Sequence, residues 1–240
     1  MSEGYWDIQN HILPGIDNGS SSLKETQELL EEEYRQGVRH IVFTPHYRPG
    51  KFDVPPAERE RVFRNTCVEF QQDYPDLHFY LGCENYVYRQ VFHNLNDPRC
   101  RMGGGRAVLL RFDSGSSYKL IRAVTEHTVK GGCRPLIAHA EYYDALGEDT
   151  VRRVRDLQAA GAWIQIDAES VLGDAGSRQA RICETLLTTA LVDVITSDAY
   201  NMTAKPVRIR ECVQEVRELC GPEACEILFK KNPARLLQDV

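Results

Sequence analysis

The run Arg134-Pro-Leu-Ile-Ala138, the stretch Glu148–Ala160 closed by Gly161, and the run Trp163-Ile-Gln-Ile166 make one strand–helix–strand unit. The two apolar runs are of strand length, and Val151, Val154 and Leu157 recur between them at helical spacing. Strands joined through a helix run parallel, because a hairpin connection is too short to hold one. The pattern repeats in both directions. Tyr5–Ile8, His40–Thr44, His78–Gly82 and Ala107–Phe112 precede the unit, and Val192–Thr196 follows it, giving seven apolar runs. Amphipathic stretches separate most of them. The first opens on Ser22-Leu-Lys-Glu25, a capping-box spacing, and stops at Gly37. The second starts at Pro55-Pro56 and carries Val62, Phe63, Cys67 and Phe70 on one face. Ile121, Val124, Thr125 and Thr128 mark another, Arg178–Ala190 a further one, and Pro206–Leu219 with two short helices through Leu237 follow the last run. Such alternation implies an α/β fold of parallel strands with helices outside. A doubly wound open sheet and a barrel both fit it. No G-x-G-x-x-G follows the first strand, which weakens a dinucleotide-binding version, and Gly103-Gly104-Gly105 precedes a strand and reads as a loop.

Composition narrows the function classes. The 240 residues carry a formal charge of −6, which argues against sequence-independent nucleic-acid binding and against adhesion to anionic membranes. No apolar stretch reaches the ~18 residues of a membrane span, and the first residues lack the basic and apolar regions of a secretory leader. A cytoplasmic location is expected. The chain shows no linker or charge block, so one domain over 1–240 is expected. Eight cysteines, none in a Cys-x-x-Cys pair, read as reduced, mostly buried thiols. None is followed by the Gly-rich, Arg-ended turn of a thiol phosphatase.

In parallel α/β folds, sites gather at the C-terminal ends of strands. In order, those ends carry His11, His46, Glu84, Arg111 with Asp113, His139, Asp167 and Asp198. His40, His78, His93 and His127 fall at strand starts or in helices, away from that mouth. One histidine at a strand end is commonly structural. Three, with carboxylates from successive strands, form the donor set of a metal site for hydrolysis, where the ion activates water and neutralises charge on a phosphate or carbonyl oxygen. Asp7 reads more simply as a hydrogen-bond acceptor, and Asp167 as a weak candidate for a compensating ligand. Tyr47 and Arg48 read as rim residues, Tyr86 and Tyr88 as packing at the mouth, and Glu31-Glu32-Glu33 as a solvated helix face.

The stretch Asp7-Ile-Gln-Asn-His11-Ile-Leu-Pro-Gly-Ile-Asp17-Asn-Gly19 resembles the D-I-H-x-H-I-L-P-G-I-D-D-G opening of the PHP-type tyrosine phosphatases of bacterial capsule and exopolysaccharide loci. The resemblance continues through Thr44-Pro-His46-Tyr-Arg-Pro-Gly50, Gly82-Cys-Glu84, Leu109-Leu-Arg-Phe112, Ile137-Ala-His139-Ala-Glu141, Ser197-Asp198-Ala-Tyr-Asn201 and Phe229-Lys-Lys-Asn232-Pro233. It spans essentially the whole chain in order. It implies a distorted (β/α)7 PHP-type barrel with a trinuclear centre at the strand ends. The usual metal is manganese, with iron or zinc as alternatives, and arginines flank the phosphate. The implied activity is hydrolysis of phosphotyrosine by metal-activated water, without a phosphoenzyme. The implied partner is the tyrosine-rich tail of a bacterial tyrosine kinase, and some relatives form ring-like homo-oligomers.

Several positions depart from the family pattern. Gln9 stands for the first histidine of H-x-H, Asn18 for the second aspartate of I-D-D-G, Arg111 for the carboxylate of the fourth strand, Tyr200 for the histidine of S-D-x-H, and Lys205 for the arginine before Pro206. His11, His46, Glu84, His139 and Asp198 remain as metal candidates, with Arg111 and Lys205 as catalytic, phosphate-facing cations. An amide oxygen is a weaker donor than imidazole, and a phenol ligates only if its pKa of ~10 is pulled down. Arg111 replaces a negative charge by a positive one. At ~4 Å and an effective dielectric of ~20, one such pair is worth about 4 kcal/mol, so fewer than three ions are expected. Asp17 and Asp113 are the residues expected to compensate, Asp113 because it lies two positions from Arg111 along an extended strand. A reduced phosphoesterase and a phosphotyrosine-binding regulatory protein with little turnover both fit this set; hydrolysis of another substrate fits less well.

Overall fold

The computed structural model describes residues 4–88, 91–147, 149–174 and 176–238. Among the described residues there are nine strand segments: β1 (Tyr5–Asp7), β2 (Val38–Phe43), β3 (His46–Tyr47), β4 (His78–Leu81), β5 (Glu84–Tyr86), β6 (Ala107–Arg111), β7 (Arg134–Ile137), β8 (Trp163–Asp167) and β9 (Val194–Thr196). All pair in parallel, in the orders β1-β2-β4 and β3-β5-β6-β7-β8-β9.

The seven expected runs are all found, but β3 and β5 were not foreseen as strands. Each continues an expected run past a break, at Thr44-Pro45 and at Gly82-Cys83. Pro45 has no amide to give to a ladder. A Cβ at Gly82 would come within 3.0 Å of Met102 Sδ and Val42 Cγ1, so a side chain here would have to push its packed neighbours aside. Backbone bonds still cross the gap, from Gly82 N to Phe43 O (2.8 Å) and from Glu84 N to Pro45 O (3.1 Å). The break lets His46 and Glu84 turn toward the mouth while the chains stay side by side.

The sheet curls on itself. β1 and β9 share no ladder, yet the residues beyond their ends meet: His11 N donates to Ala199 O (2.8 Å) and Asp198 N to Gln9 O (3.0 Å). Asp7 is the acceptor expected of it, taking bonds from Ser197 N (2.9 Å), Ser197 Oγ (2.7 Å) and Asn10 Nδ2 (2.9 Å). Ile8, Val42, Leu109, Leu136 and Val194 fill the inside of the curl, with Trp6, Met102 and Trp163. A larger core lies between strands and outer helices.

The helices follow their sequence signals with shifted ends. Helix Leu23–Arg35 is capped by Ser22, whose side chain accepts from Glu25 N, but Glu25 returns its bond to Ser21 N (2.8 Å) rather than to Ser22. Helix Pro56–Phe70 buries Arg59, Thr66 and Phe70, while Val62, Phe63 and Cys67 are only partly covered. Helices Tyr118–Lys130, Thr150–Ala159, Arg178–Thr188 and Ile209–Cys220 complete the shell, the last beginning three residues later than Pro206. Glu148, the expected start of the fourth, lies outside the described residues. Met102–Gly104, read as part of a loop, forms a 3-10 turn. Among the described residues, no helix is long and apolar enough to cross a membrane.

Candidate active site and metal centre

Beyond the end of β1 the strand alternation breaks, so that Gln9 and His11 both reach the site while Asn10 Nδ2 binds Val42 O (3.2 Å) and Asp7 Oδ2 (2.9 Å). The loop that follows returns so tightly that a Cβ at Gly19 would lie 2.0 Å from His11 O. That return brings Asp17 Oδ2 to His11 Nδ1 (2.6 Å) and to the backbone amide of His46 (2.8 Å). At the other side, His139 and Asp198 both take left-handed backbone angles, φ 52° and φ 48°. Such a conformation costs a side-chain-bearing residue of order 1 kcal/mol or more. Gln165 Oε1 holds His139 in it by accepting from His139 N (2.6 Å), and Gln9 O does the same for Asp198.

Glu84, fully buried at the start of β5, is the hub. Its Oε1 accepts from Gln9 Nε2 (2.9 Å) and Arg111 Nη1 (3.1 Å) and lies 2.8 Å from His139 Nε2. Its Oε2 is pressed against His46 Nδ1 without hydrogen-bond geometry. Arg111 Nη1 is also 3.2 Å from His139 Nε2. His139 Nδ1 meets Asp167 Oδ1 at 2.7 Å. Lys205 Nζ donates to Asp167 Oδ2 (3.1 Å) and, more closely, to Asp198 Oδ2. Tyr200 stacks on His11 at 4.4 Å between ring centres, and its hydroxyl is 3.5 Å from His46 Nε2.

These contacts balance charge internally. Burial raises the Glu84 carboxyl, but His46, Arg111 and His139 hold it well below its ordinary range. Burial opposes protonation of His11, and Asp17 with Asp198 overcomes it, holding the imidazole at about 9. His139 is held at about 10, against burial, by Asp167 and Asp198. Burial, then Asp198 and Glu84, push the Tyr200 phenol above its ordinary value, which leaves it a poor phenolate ligand. Four carboxylates (Asp17, Glu84, Asp167, Asp198) therefore face Arg111, Lys205 and two imidazolium groups.

Two groups of donors have metal-ligand proximity: His11, Asp17 and His46, and His139, Asp167 and Asp198. The first fits an ion. His11 Nε2 and His46 Nδ1 are buried without hydrogen-bond partners, and His11 Nε2 lies 3.3 Å from Asp198 Oδ1. Asp17 on His11 Nδ1 would keep the proton there when an ion displaces the one on Nε2. The second does not fit without rearrangement. Both nitrogens of His139 are engaged, and Lys205 sits across the two aspartates.

A cavity of about 360 Å³ opens onto these residues, walled by Arg48, Arg111 and Lys205 together with Tyr86, Tyr142 and Tyr200. His11, His46, Glu84, Arg111, His139, Asp198, Lys205, Gln9, Tyr200 and Asp17 are thus brought together. Asp113 is not. β6 ends at Arg111, the chain turns through Asp113–Ser116, and the Asp113 side chain is 72% exposed with Arg48 Nη2 at 3.9 Å. Asn18 is exposed as well, and the loop carboxylate at the site belongs to Asp17. Asp167, expected to contribute little, is buried and central. Its position at the end of β8 was the available signal. Gln165 was missed because a strand glutamine carries no site signature.

A family model described as capsular polysaccharide synthesis, CpsB/CapC, matches residues 5–238. The chain belongs to the CpsB/CapC family. The tyrosine-protein phosphatase CpsB of Streptococcus pneumoniae is 30% identical over 239 residues, covering 97% of this chain and 98% of its own. The tyrosine-protein phosphatase YwqE of Bacillus subtilis (strain 168) is 26% identical over 235 residues, covering 97% and 91%. A solved structure from a study of B. subtilis YwqE and S. pneumoniae CpsB, described as unique metal-dependent tyrosine phosphatases, superposes with a TM-score of 0.88 at 25% identity, covering 98% of this chain and 94% of the other. Histidinol phosphate phosphatase from Lactococcus lactis shares the fold, with a TM-score of 0.62 at 15% identity over 96% of this chain and 100% of its own. The PHP-type α/β architecture expected from sequence is therefore that of this CpsB/CapC chain, a curled parallel sheet with two of its runs broken.

Proposed function

We propose that this chain is a phosphotyrosine phosphatase whose metal site is reduced to one ion. The observation that carries the reading is Arg111: it binds Glu84, touches His139 and lines the cavity at the position where the family pattern has a carboxylate. A guanidinium presents two parallel N–H groups to a phosphate, so Arg111 can supply the charge stabilisation that a further ion gives in an intact centre. Lys205 and Arg48 face the same cavity, and Tyr86, Tyr142 and Tyr200 offer walls for an aromatic ring. His11 and His46 would hold the ion, with Asp17 behind His11 and oxygens of Glu84 and Asp198 in reach. Manganese suits that set, as do iron and zinc, and such an ion supplies Lewis acidity toward water and phosphate oxygen.

The proposed substrate is the phosphotyrosine tail of a bacterial tyrosine kinase, met in the cytoplasm by a chain that is one PHP-type domain over 1–240 and is able to form homo-oligomers. One observation favours a second reading. Arg111, Lys205 and the Gln9 amide already engage Glu84, His139, Asp167 and Asp198. A site so closed in charge suits a regulatory protein that binds phosphotyrosine and releases it unhydrolysed. Incubation with a phosphotyrosine peptide and manganese separates the two. Phosphate release, lost in His11→Ala, supports the phosphatase; binding without release would replace it by the regulatory reading; neither would overturn both.

A further inference from the structure

Packed between Cys100 and the Tyr47 ring lies a group that the proposed chemistry does not use. Arg59, on helix Pro56–Phe70, is fully buried. A guanidinium cannot shed its charge, so burying it calls for a partner of opposite charge. The nearby carboxylates are engaged elsewhere: Asp97 with Arg99 (2.7 Å) and Glu60 with Arg64 (2.7 Å). Arg59 instead donates through Nη1 to Val54 O (2.8 Å) and through Nη2 to Cys100 Sγ (3.2 Å), and lies 4.8 Å from the centre of the Tyr47 ring. The Cys83 thiol lies close enough to interact with the same sulfur. The single Nδ2 of Asn85 binds both Cys83 O (3.0 Å) and Cys100 O (2.9 Å), pinning the two backbones together. No disulfide joins them; both thiols are free.

We propose that Cys100 and Cys83 are a redox pair, a site of modification by peroxide in which Cys100 is the attacking thiolate and Cys83 the resolving thiol. Arg59 is the counter-ion that this thiolate needs. The Cys83 thiol and Arg59 also hold the Cys100 thiol at about 7, below its ordinary value, whereas burial pushes Cys67 up to about 11 and raises Cys183, Cys212, Cys220 and Cys225. In the first step the Cys100 thiolate attacks one peroxide oxygen, the O–O bond breaks, and hydroxide leaves a sulfenic acid. In the second the Cys83 sulfur attacks the Cys100 sulfur, and its proton departs with the hydroxyl as water. Two thiols are oxidised and one peroxide is reduced. Both sulfurs are buried, and a cavity of about 330 Å³, lined in part by Phe63, Pro98, Arg99, Gly103 and Gly104, borders the turn that carries Cys100 without reaching either sulfur. Cys83 directly precedes Glu84, so the bond acts on the strand that holds the site's shared carboxylate.

The test is peroxide treatment of the whole folded protein, followed by digestion and mass mapping under non-reducing conditions. The expected product is a Cys83–Cys100 disulfide, absent in Cys100→Ser. In Cys83→Ser, a dimedone adduct should collect on Cys100. Oxidation that spares both residues, or disulfides formed equally in Cys100→Ser, would overturn the pair. Manganese affinity of the oxidised protein should fall about tenfold and return with dithiothreitol; unchanged affinity would overturn its link to the site. The mapping needs no variant to fold and does not depend on phosphotyrosine turnover.

Discussion

At one corner of the pocket, His11 and His46 keep ring nitrogens without hydrogen-bond partners, facing carboxylate oxygens of Asp198 and Glu84, while Asp17 binds the back of the His11 imidazole. At the other corner, His139 has both nitrogens engaged, and Lys205 bridges Asp167 and Asp198. Both corners carry imidazole and carboxylate within ligand distance of one another. Proximity alone therefore does not make a metal site. What separates the corners is whether a side-chain cation already occupies the carboxylates.

The sharpest way to break this contrast is to remove the substituted cation and restore the family ligands. In Gln9→His/Arg111→Glu/Tyr200→His, turnover of a phosphotyrosine peptide with manganese should rise on the order of 10²-fold. No gain would show that lost ligands are not the defect. Next in size is Lys205→Met. It removes the cation that bridges two buried aspartates and leaves them only their imidazole partners, costing about 3 kcal/mol in chelated protein, or roughly 6–12 °C in melting temperature at 2–4 °C per kcal/mol. Added manganese should recover most of that loss by entering the second corner. A variant that melts with the parent would contradict the role given to Lys205.

Asp17→Asn addresses the first corner. The amide no longer accepts well from His11 Nδ1, so metal affinity should drop about 10–100-fold, as read by calorimetric titration. Equal affinity would show that Asp17 does not set the His11 tautomer.

Much of this site was legible because parallel strands deliver their C-terminal residues to one place. His11, His46, Glu84, Arg111, His139 and Asp198 could be collected from the sequence by that rule alone. The rule failed where strands stop or turn. Asp113 shares a face with Arg111 only if β6 continues, and it ends at Arg111. Asn18 and Asp17 are neighbours on a loop, and no periodicity tells which one turns inward. The weight of Asp167 depends on Lys205, thirty-eight positions away, arriving from the loop after β9. Arg59 sits on an amphipathic helix where a solvated arginine is the ordinary outcome, and only packing against Cys100 reveals it as buried.

A control outside both corners comes from the opposite strand ends. His40 stacks on Trp6 at 3.9 Å and on His78 at 4.7 Å, and burial, aided by His78, holds its pKa down at about 4. The unfolded chain binds this proton near 6.5, so it takes up more protons than the folded one between about pH 4 and 6.5. Stability should be whole above about 6.5 and fall as pH drops through that window. Allowing for solvent screening, the loss is about 1 kcal/mol, or ~2–4 °C in melting temperature. His40→Phe should flatten that slope without altering metal binding. An unchanged slope would place the titration elsewhere.

The contrast between corners is tested most directly by the number of ions each chain holds, measured by elemental analysis of protein purified without an affinity metal or chelator and again after manganese is added back. One ion per chain, lost in His11→Ala and retained in His139→Ala, is the predicted result. Two or three ions would show that Lys205 and Arg111 yield their carboxylates to metal, and none, even after addition, would show that the first corner is closed as well.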